Sequence, residues 1–288
     1  MKKLLCLGYG YVARQLGAQL QGAGWGVAGT VRDLSRADEL RREGVEPVPW
    51  GAAGGAAEGA DALLVSTPPA EGGCPALALA QTARASPPYI GYLSTNGVYG
   101  DYQGGVVDET SPLLATAPRA VARIAAENAW RQFAGARRAR LVIFRLPAIY
   151  GPGRSAFDQI RAGRAQRIFK PDQVFNRMHV EDIAAALAAS LAHPGAGALF
   201  NLADDEPAPP QDVIEYACRL LGVAPPPLIP LEDAALSGMA RSFYADNKRV
   251  SNALMKSALG VILRFPTYRE GLAAILAAER ALRKAQET

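Results

Sequence analysis

The chain has 288 residues, 49% of them hydrophobic and 20% charged, with a formal net charge of +4. That balance excludes a disordered chain, and without an apolar run of about 18 residues no membrane-spanning helix is expected. Cys6, Cys74 and Cys218 lie far apart, which argues against a disulfide scaffold or zinc module, and the scattered arginines lack the interleaved aromatics of a nucleic-acid face.

Leu4 to Leu7 reads as a first strand. As a secretory segment it is too short, and Gly8-Tyr9-Gly10 breaks it at once, so a cytoplasmic protein is expected. Val12, Ala13, Leu16, Gly17 and Leu20 recur at helical spacing. Gly22, Gly24 and Gly26 close that helix and open a second strand through Val31. Gly51 to Gly59 reads as a short Gly/Ala-rich connection. Ala62–Ser66, Tyr89–Ser94 and Leu141–Leu146 are further strand candidates, and Val121–Phe133, free of Gly and Pro, is a long helix. This alternation predicts an α/β fold of the Rossmann type, a doubly wound parallel sheet with helices on both faces. After Tyr150-Gly151-Pro152-Gly153 the prolines multiply. Residues 1–153 are therefore expected to form a first domain whose sheet is completed by segments near 178–203. Residues 154–288 are expected to form a smaller, irregular substrate lobe, with helices at Val180–Leu191 and Thr267–Lys284.

Gly8-Tyr9-Gly10-Tyr11-Val12-Ala13 follows a strand and opens a helix, the context a dinucleotide fingerprint requires. Gly8 allows the tight turn, Gly10 lets backbone approach a pyrophosphate, and the amides of Tyr11 and Val12 open the helix toward it. At the end of the second strand an NAD site carries an acid for the ribose 2′-hydroxyl. Here Val31 stands at that place and Arg32 follows. A guanidinium suits a 2′-phosphate and Ser35 can add a donor, so NADP is favoured and NAD kept open. The competing reading pairs Arg32 with Asp33 on the surface.

Four further segments carry a family resemblance. Tyr92 to Gly100, Arg145 to Gly153, Arg177 to Ala184 and Phe265 to Leu272 resemble, in order, segments of the extended short-chain dehydrogenase/reductases of the NAD-dependent epimerase/dehydratase type. The resemblance implies that Thr95 is the hydroxyl beside the nicotinamide that bonds a substrate oxygen. It also implies that Thr67 and Pro147 flank the cofactor. The family's Tyr-x-x-x-Lys pair, a general acid/base and the lysine that tunes it, falls at Arg119 and Arg123. The pattern is that of the family's atypical branch. Arginine does not give up its proton in proteins, so Arg119 cannot act as the acid, whereas Arg123 can still hold a ribose or phosphate. The competing reading is a solvated face with Arg123 paired to Glu127. Tyr99, Tyr102, Asp101 and Tyr150 are the substitute acids on offer.

Phe175 stands where sugar-nucleotide epimerases carry a phosphate-binding arginine, with Arg177 two residues on as a substitute. Trp50, near the adenine position, is favoured as core. His179 and His193 are too separated for a metal pair. Two functions remain. One is an NADP-dependent oxidoreductase or epimerase on a small polar or sugar-like substrate with a non-standard proton donor. The other is a catalytically silent NADP(H)-binding sensor or regulatory module. The Ala-rich stretch Ala120–Ala129 makes a homodimer a further expectation.

Overall fold

The structure is a computed structural model that describes residues 1–286. From the N-terminus β1 (Lys3–Leu7), α1 (Tyr11–Gly22), β2 (Gly26–Val31), α2 (Ala37–Arg42), β3 (Glu46–Pro49), α3 (Ala53–Glu58), β4 (Ala62–Val65) and α4 (Pro75–Thr82) alternate. Next come β5 (Tyr89–Thr95), β6 (Val106–Val107), the long α5 (Pro118–Arg137), β7 (Arg140–Leu146) and β8 (Ala148–Tyr150). The remainder is α6 (Ala156–Arg161), β9 (Arg167–Phe169), β10 (Arg177–His179), α7 (Val180–Ala192), β11 (Leu199–Asn201), α8 (Pro210–Leu221), β12 (Leu228–Pro230), α9 (Gly238–Ser242), β13 (Arg249–Val250), α10 (Ala253–Leu259) and α11 (Tyr268–Gln286).

Seven strands pair in parallel in the order β11-β7-β5-β4-β1-β2-β3. The expected doubly wound sheet is therefore present. Its inner strands are apolar on both faces, as sheets covered by helices on each side require. One face packs Leu4, Cys6 and Leu64 with Leu16 of α1 and Ile183 and Leu187 of α7. The other packs Leu5, Leu63 and Tyr92 with Ala57 of α3, Ala76 of α4 and Trp130 of α5. The strand order reverses direction between β1 and β4, and the crevice beyond their carboxyl ends is where such sheets bind ligands.

Some elements depart from the sequence reading. The stretch Gly51–Gly59 is not a bare connection: it contains α3, whose Gly54 lies so close to Thr82 of α4 that no side chain would fit. β3 carries Pro47 and Pro49 and was hidden by them. It is an edge strand, where a missing N–H is tolerated. β10 pairs with β8 in a separate two-stranded sheet, and β11 is the segment that joins the main sheet. A second apolar cluster, built on Phe157, Cys218, Tyr268 and Leu272, lies among α6, α8 and α11. Among the described residues no helix is long and apolar enough to cross a membrane.

One buried ion pair registers α5 on the sheet. Arg145 of β7 reaches Glu127 with Nε at 3.1 Å and Nη2 at 2.9 Å, and both side chains are shielded from solvent. Ser94 donates to the same carboxylate at 2.6 Å, and Arg131 adds a contact at 3.1 Å. Burial alone would raise the Glu127 pKa, but Arg145, Ser94 and Arg131 outweigh it and hold the carboxyl below its usual range. A carboxyl depressed in the folded state stabilises fully above its unfolded pKa and loses that contribution as pH falls through the folded value. Removing one partner leaves a buried charge uncompensated, which costs about 3–5 kcal/mol. Denaturant titration of Glu127→Ala at neutral pH should show a loss of that order. The deficit relative to wild type should shrink on acidification below the ordinary carboxylate range.

Candidate cofactor and active site

At the carboxyl end of β1 the chain turns at Gly8, with φ +93°. A Cβ there would lie 2.7 Å from Thr67 Oγ1, so only glycine fits the turn. Gly8 N donates to Thr30 Oγ1 at 2.7 Å. Thr67 Oγ1 donates to Leu7 O at 2.8 Å, and the Ser66 hydroxyl donates to Gly8 O, so the ends of β1 and β4 are stitched around the loop. Gly10 caps α1 without a side-chain hydrogen bond, and a Cβ built on it meets nothing within 4 Å. The first-turn amides of Tyr11 and Val12 thus open on free space, while Val12 and Ala13 bury their side chains against the sheet. An uncapped helix start behind an open glycine suits the pyrophosphate of a dinucleotide. Tyr11 turns its hydroxyl to Pro152 O at 3.0 Å, so the Gly151–Arg154 turn lies against the glycine loop.

Arg32 does not pair with Asp33. Asp33 instead accepts from Ser35 N at 2.9 Å, and Arg32 is exposed with its guanidinium 4.6 Å from the Trp50 ring. Trp50 is half-buried and packs on the sheet cluster through part of its surface. Ser35 is exposed.

Thr95 ends β5, half-buried, its Oγ1 accepting from Gly97 N at 3.1 Å. A hydroxyl that accepts there keeps its own proton for another acceptor. Arg123 does not pair with Glu127, which Arg145 and Arg131 occupy. Its Nη1 donates to Leu93 O at 2.9 Å and to Tyr92 Oη at 3.3 Å, which fixes a positive charge at the end of β5. Tyr92 is pushed up to about 12, first by burial, with the Arg123 charge opposing it. Arg119, one turn earlier, does not share that direction. It is exposed, and its guanidinium carbon lies 3.9 Å from the Phe243 ring beyond α9. Pro147 is buried between β7 and β8, where Ala148 N donates to Asn176 O at 3.1 Å.

The four substitute acids are all engaged. Tyr99 donates to Asn201 Oδ1 at 2.7 Å and accepts from Arg145 Nη1 at 3.0 Å. Tyr102 donates to Pro112 O at 2.7 Å, and Tyr150 to Thr267 O at 3.3 Å. Burial and then the nearby Asp204 charge raise Tyr150 further from use as an acid. Asp101 accepts from Gln103 N at 3.0 Å and Asn247 N at 2.8 Å. Burial works against these bonds, but with Lys170 and Lys248 they hold the carboxyl below its usual range, so it is an anion at neutral pH. Arg177 is no substitute phosphate ligand either. It is buried, with its guanidinium over Tyr268 at 5.5 Å and Nη2 3.4 Å from Ala208 O. His179 caps α7 by accepting from Glu181 N at 3.3 Å, and burial lowers it to about 4.

The late stretch Asn247-Lys248-Arg249 is only partly exposed. Lys248 is in fact buried, its Nζ donating to Gly100 O at 2.6 Å, and burial lowers its pKa. Asn247 receives Tyr102 N and Gly104 N on its carbonyl and donates to Asp172 O. Asn176 donates to Lys248 O and accepts from Val250 N. These bonds tie the loop after Thr95 to the C-terminal half. The signal was a lysine and two asparagines in irregular chain, which no spacing rule distinguishes from a solvated loop.

Residues 75–203 match the model of the NAD-dependent epimerase/dehydratase family. A functionally unknown conserved protein from Silicibacter pomeroyi DSS has a solved structure 45% identical to this chain, covering 96% of this chain and 99% of that one with a TM-score of 0.87. The chain belongs to the NAD-dependent epimerase/dehydratase family. A 3-diazoavenalumate denitrifying reductase from Streptomyces sp is 29% identical over 186 residues, which is 58% of this chain and 58% of that reductase's length. A human epimerase family protein solved with NADPH shares the fold at 18% identity, covering 96% and 98% of the two chains with a TM-score of 0.75. The family binds NAD(P), and the open glycine loop fits such a group.

Gly8→Ala would force a side chain into a backbone conformation that costs about 1–3 kcal/mol and against Thr67. Urea unfolding should show a loss of that order. A titration with NADPH should show weaker binding, since the loop must shift to relieve the contact.

Proposed function

We propose that the protein is an NADP-dependent oxidoreductase acting on a small polar substrate. In this reading residues 1–153 hold the cofactor and residues 154–288 form the substrate lobe. The observation that carries it is the conjunction, at the carboxyl ends of β1 and β2, of the uncapped glycine loop with Arg32, which is exposed and has no acidic partner among the described residues. Gly8, Gly10, Tyr11 and Val12 would hold the pyrophosphate through backbone. Arg32 and Ser35 would take the 2′-phosphate, with Thr67 and Pro147 flanking. The guanidinium of Arg32 can leave the Trp50 ring for a phosphate because two charge-assisted bonds outweigh a solvent-exposed cation–π contact.

The bound cofactor supplies a hydride to, or takes one from, the substrate carbon. Thr95 would direct its free proton at the substrate oxygen and hold it in line. Arg123, locked on Leu93 O, supplies fixed positive charge beside that oxygen and the ribose, in the lysine's place. Neither arginine releases a proton, and the four alternative acids are engaged elsewhere. The proton that balances hydride transfer to a carbonyl therefore comes in this reading from water entering the cleft. That route forgoes the roughly 10²–10⁴-fold contribution of a positioned acid. Reductase chemistry is favoured over epimerisation because an epimerase must both remove and return a proton or hydride on one centre within a single site. The name of the Streptomyces relative, a reductase, points the same way. A homodimer packed through the small residues of α5 belongs to the same proposal.

A second reading, a silent NADP(H)-binding sensor, is favoured by one observation: Tyr99, Tyr102 and Tyr150 all donate elsewhere, and the resemblance puts Arg119 at the acid's place. Calorimetric titration with NADPH, NADP, NADH and NAD tests the cofactor half. Arg32→Ala should weaken NADPH binding about 10–100-fold, the size of lost charge-assisted bonds, and leave NADH within about twofold. Absence of binding by all four nucleotides overturns both readings. A carbonyl-substrate screen then separates them. Thr95→Ala should lower turnover by about tenfold or more with NADPH affinity unchanged, whereas no turnover with any carbonyl favours the sensor.

A further inference from the structure

Arg119 is the second residue of α5 and sits on the rim of the crevice between the two halves. It is exposed and forms no ion pair among the described residues, and its partner is an aromatic ring from the opposite half, Phe243, at 3.9 Å. Phe243 is 53% exposed, and Met239, one helical turn before it, is 69% exposed, so the α9 segment turns one apolar face outward beside Arg119. The root of that segment is held. Arg241 donates to Leu231 O at 3.2 Å and to Ala234 O at 2.8 Å, Lys170 donates to Tyr244 O at 2.5 Å, and Tyr244 packs edge-on against Phe175 at 5.2 Å.

Other arginines have carboxylates: Arg14 has Glu39 and Glu43, Arg161 has Glu279, Arg264 has Glu181 and Arg269 has Glu206. At the crevice the pattern differs. Arg119 and Arg123 answer to a ring and to a carbonyl, while Asp101 is held by the amides of Gln103 and Asn247 with the charges of Lys170 and Lys248 nearby. A cation on an exposed ring is a weak contact, and an oxyanion gripped by two parallel N–H bonds displaces it readily. The family's proton donor has thus been exchanged for a planar fork with nothing acidic to grip, facing an uncovered apolar surface.

We infer that Arg119 anchors an anionic group of the substrate, a carboxylate or phosphate carried on a flat apolar body that lies against Phe243 and Met239. This deepens the cofactor reading above and rests on it. The anion would sit on Arg119 while the reacting carbon reaches past it toward Thr95. Arg119 is a binding and positioning residue in this arrangement, and the loss of the acid and the gain of the anchor are one substitution.

Calorimetry on the full chain saturated with NADPH tests this, with benzoate, phenyl phosphate, the neutral isostere benzamide and inorganic phosphate as probes. Benzoate or phenyl phosphate should bind saturably, and benzamide about tenfold or more weaker. Whichever anion binds better identifies the group. Arg119→Ala should weaken the aryl anion about tenfold or more, Arg119→Lys less, and NADPH affinity should stay within about twofold in both. Phe243→Ala should weaken the aryl anion and leave inorganic phosphate unchanged. Equal binding of benzoate and benzamide, no saturable aryl anion, or an unchanged affinity in Arg119→Ala overturns the inference. If the wild type takes no NADPH, the cofactor reading has failed instead, and the two failures are told apart by that first titration.

Discussion

The buried fork between Arg145 and Glu127 holds the working end of this molecule in register. It joins β7 to α5, takes in Ser94 at the end of β5, and through Tyr99 reaches Asn201 at the end of β11. Each group satisfies another's hydrogen-bonding demand, which is the condition for keeping two charges away from water. The rotation of α5 about its own axis follows from it. With Glu127 turned inward, Arg123 four residues earlier faces the end of β5 and finds Leu93 O. Arg119, another turn back, clears the sheet and meets Phe243.

That geometry sends the two arginines, four residues apart on α5, to different partners. Arg123 is drawn into the protein by a carbonyl and a tyrosine hydroxyl and becomes a fixed charge. Arg119 projects across the crevice and remains available. Among the described residues Arg119 forms no ion pair, and its guanidinium lies over the exposed ring of Phe243.

The crevice also has a fixed hinge side. Lys248, Asn247 and Asn176 bind the loop after Thr95 to the C-terminal half through backbone carbonyls and amides. A buried lysine would ordinarily be costly, and here its ammonium has Gly100 O and the nearby Asp246 carboxylate. The two halves are therefore bonded at Gly100 and also meet where Arg119 lies over Phe243.

The sheet was legible in the sequence because its strands are short apolar runs bounded by glycine and proline, and the helices between them repeat at helical spacing. The glycine loop was legible for a related reason: Gly8 requires a positive φ and close approach, and a local turn encodes both. β3 was not, since its prolines are acceptable only at an edge, and being an edge is a property of the whole sheet. Arg32 was singled out by its place after β2, but its stacking on Trp50 depends on where β3 ends. The sequence by itself determined that the chain folds as a doubly wound sheet with a glycine turn between β1 and α1. Only the tertiary structure decided that Arg123 is held at β5, that Arg119 faces Phe243, and that Tyr99, Tyr102 and Tyr150 are taken. Those outcomes turn on which carbonyl or ring lies within about 3–6 Å across elements far apart in the chain, and spacing along one helix carries no information about that.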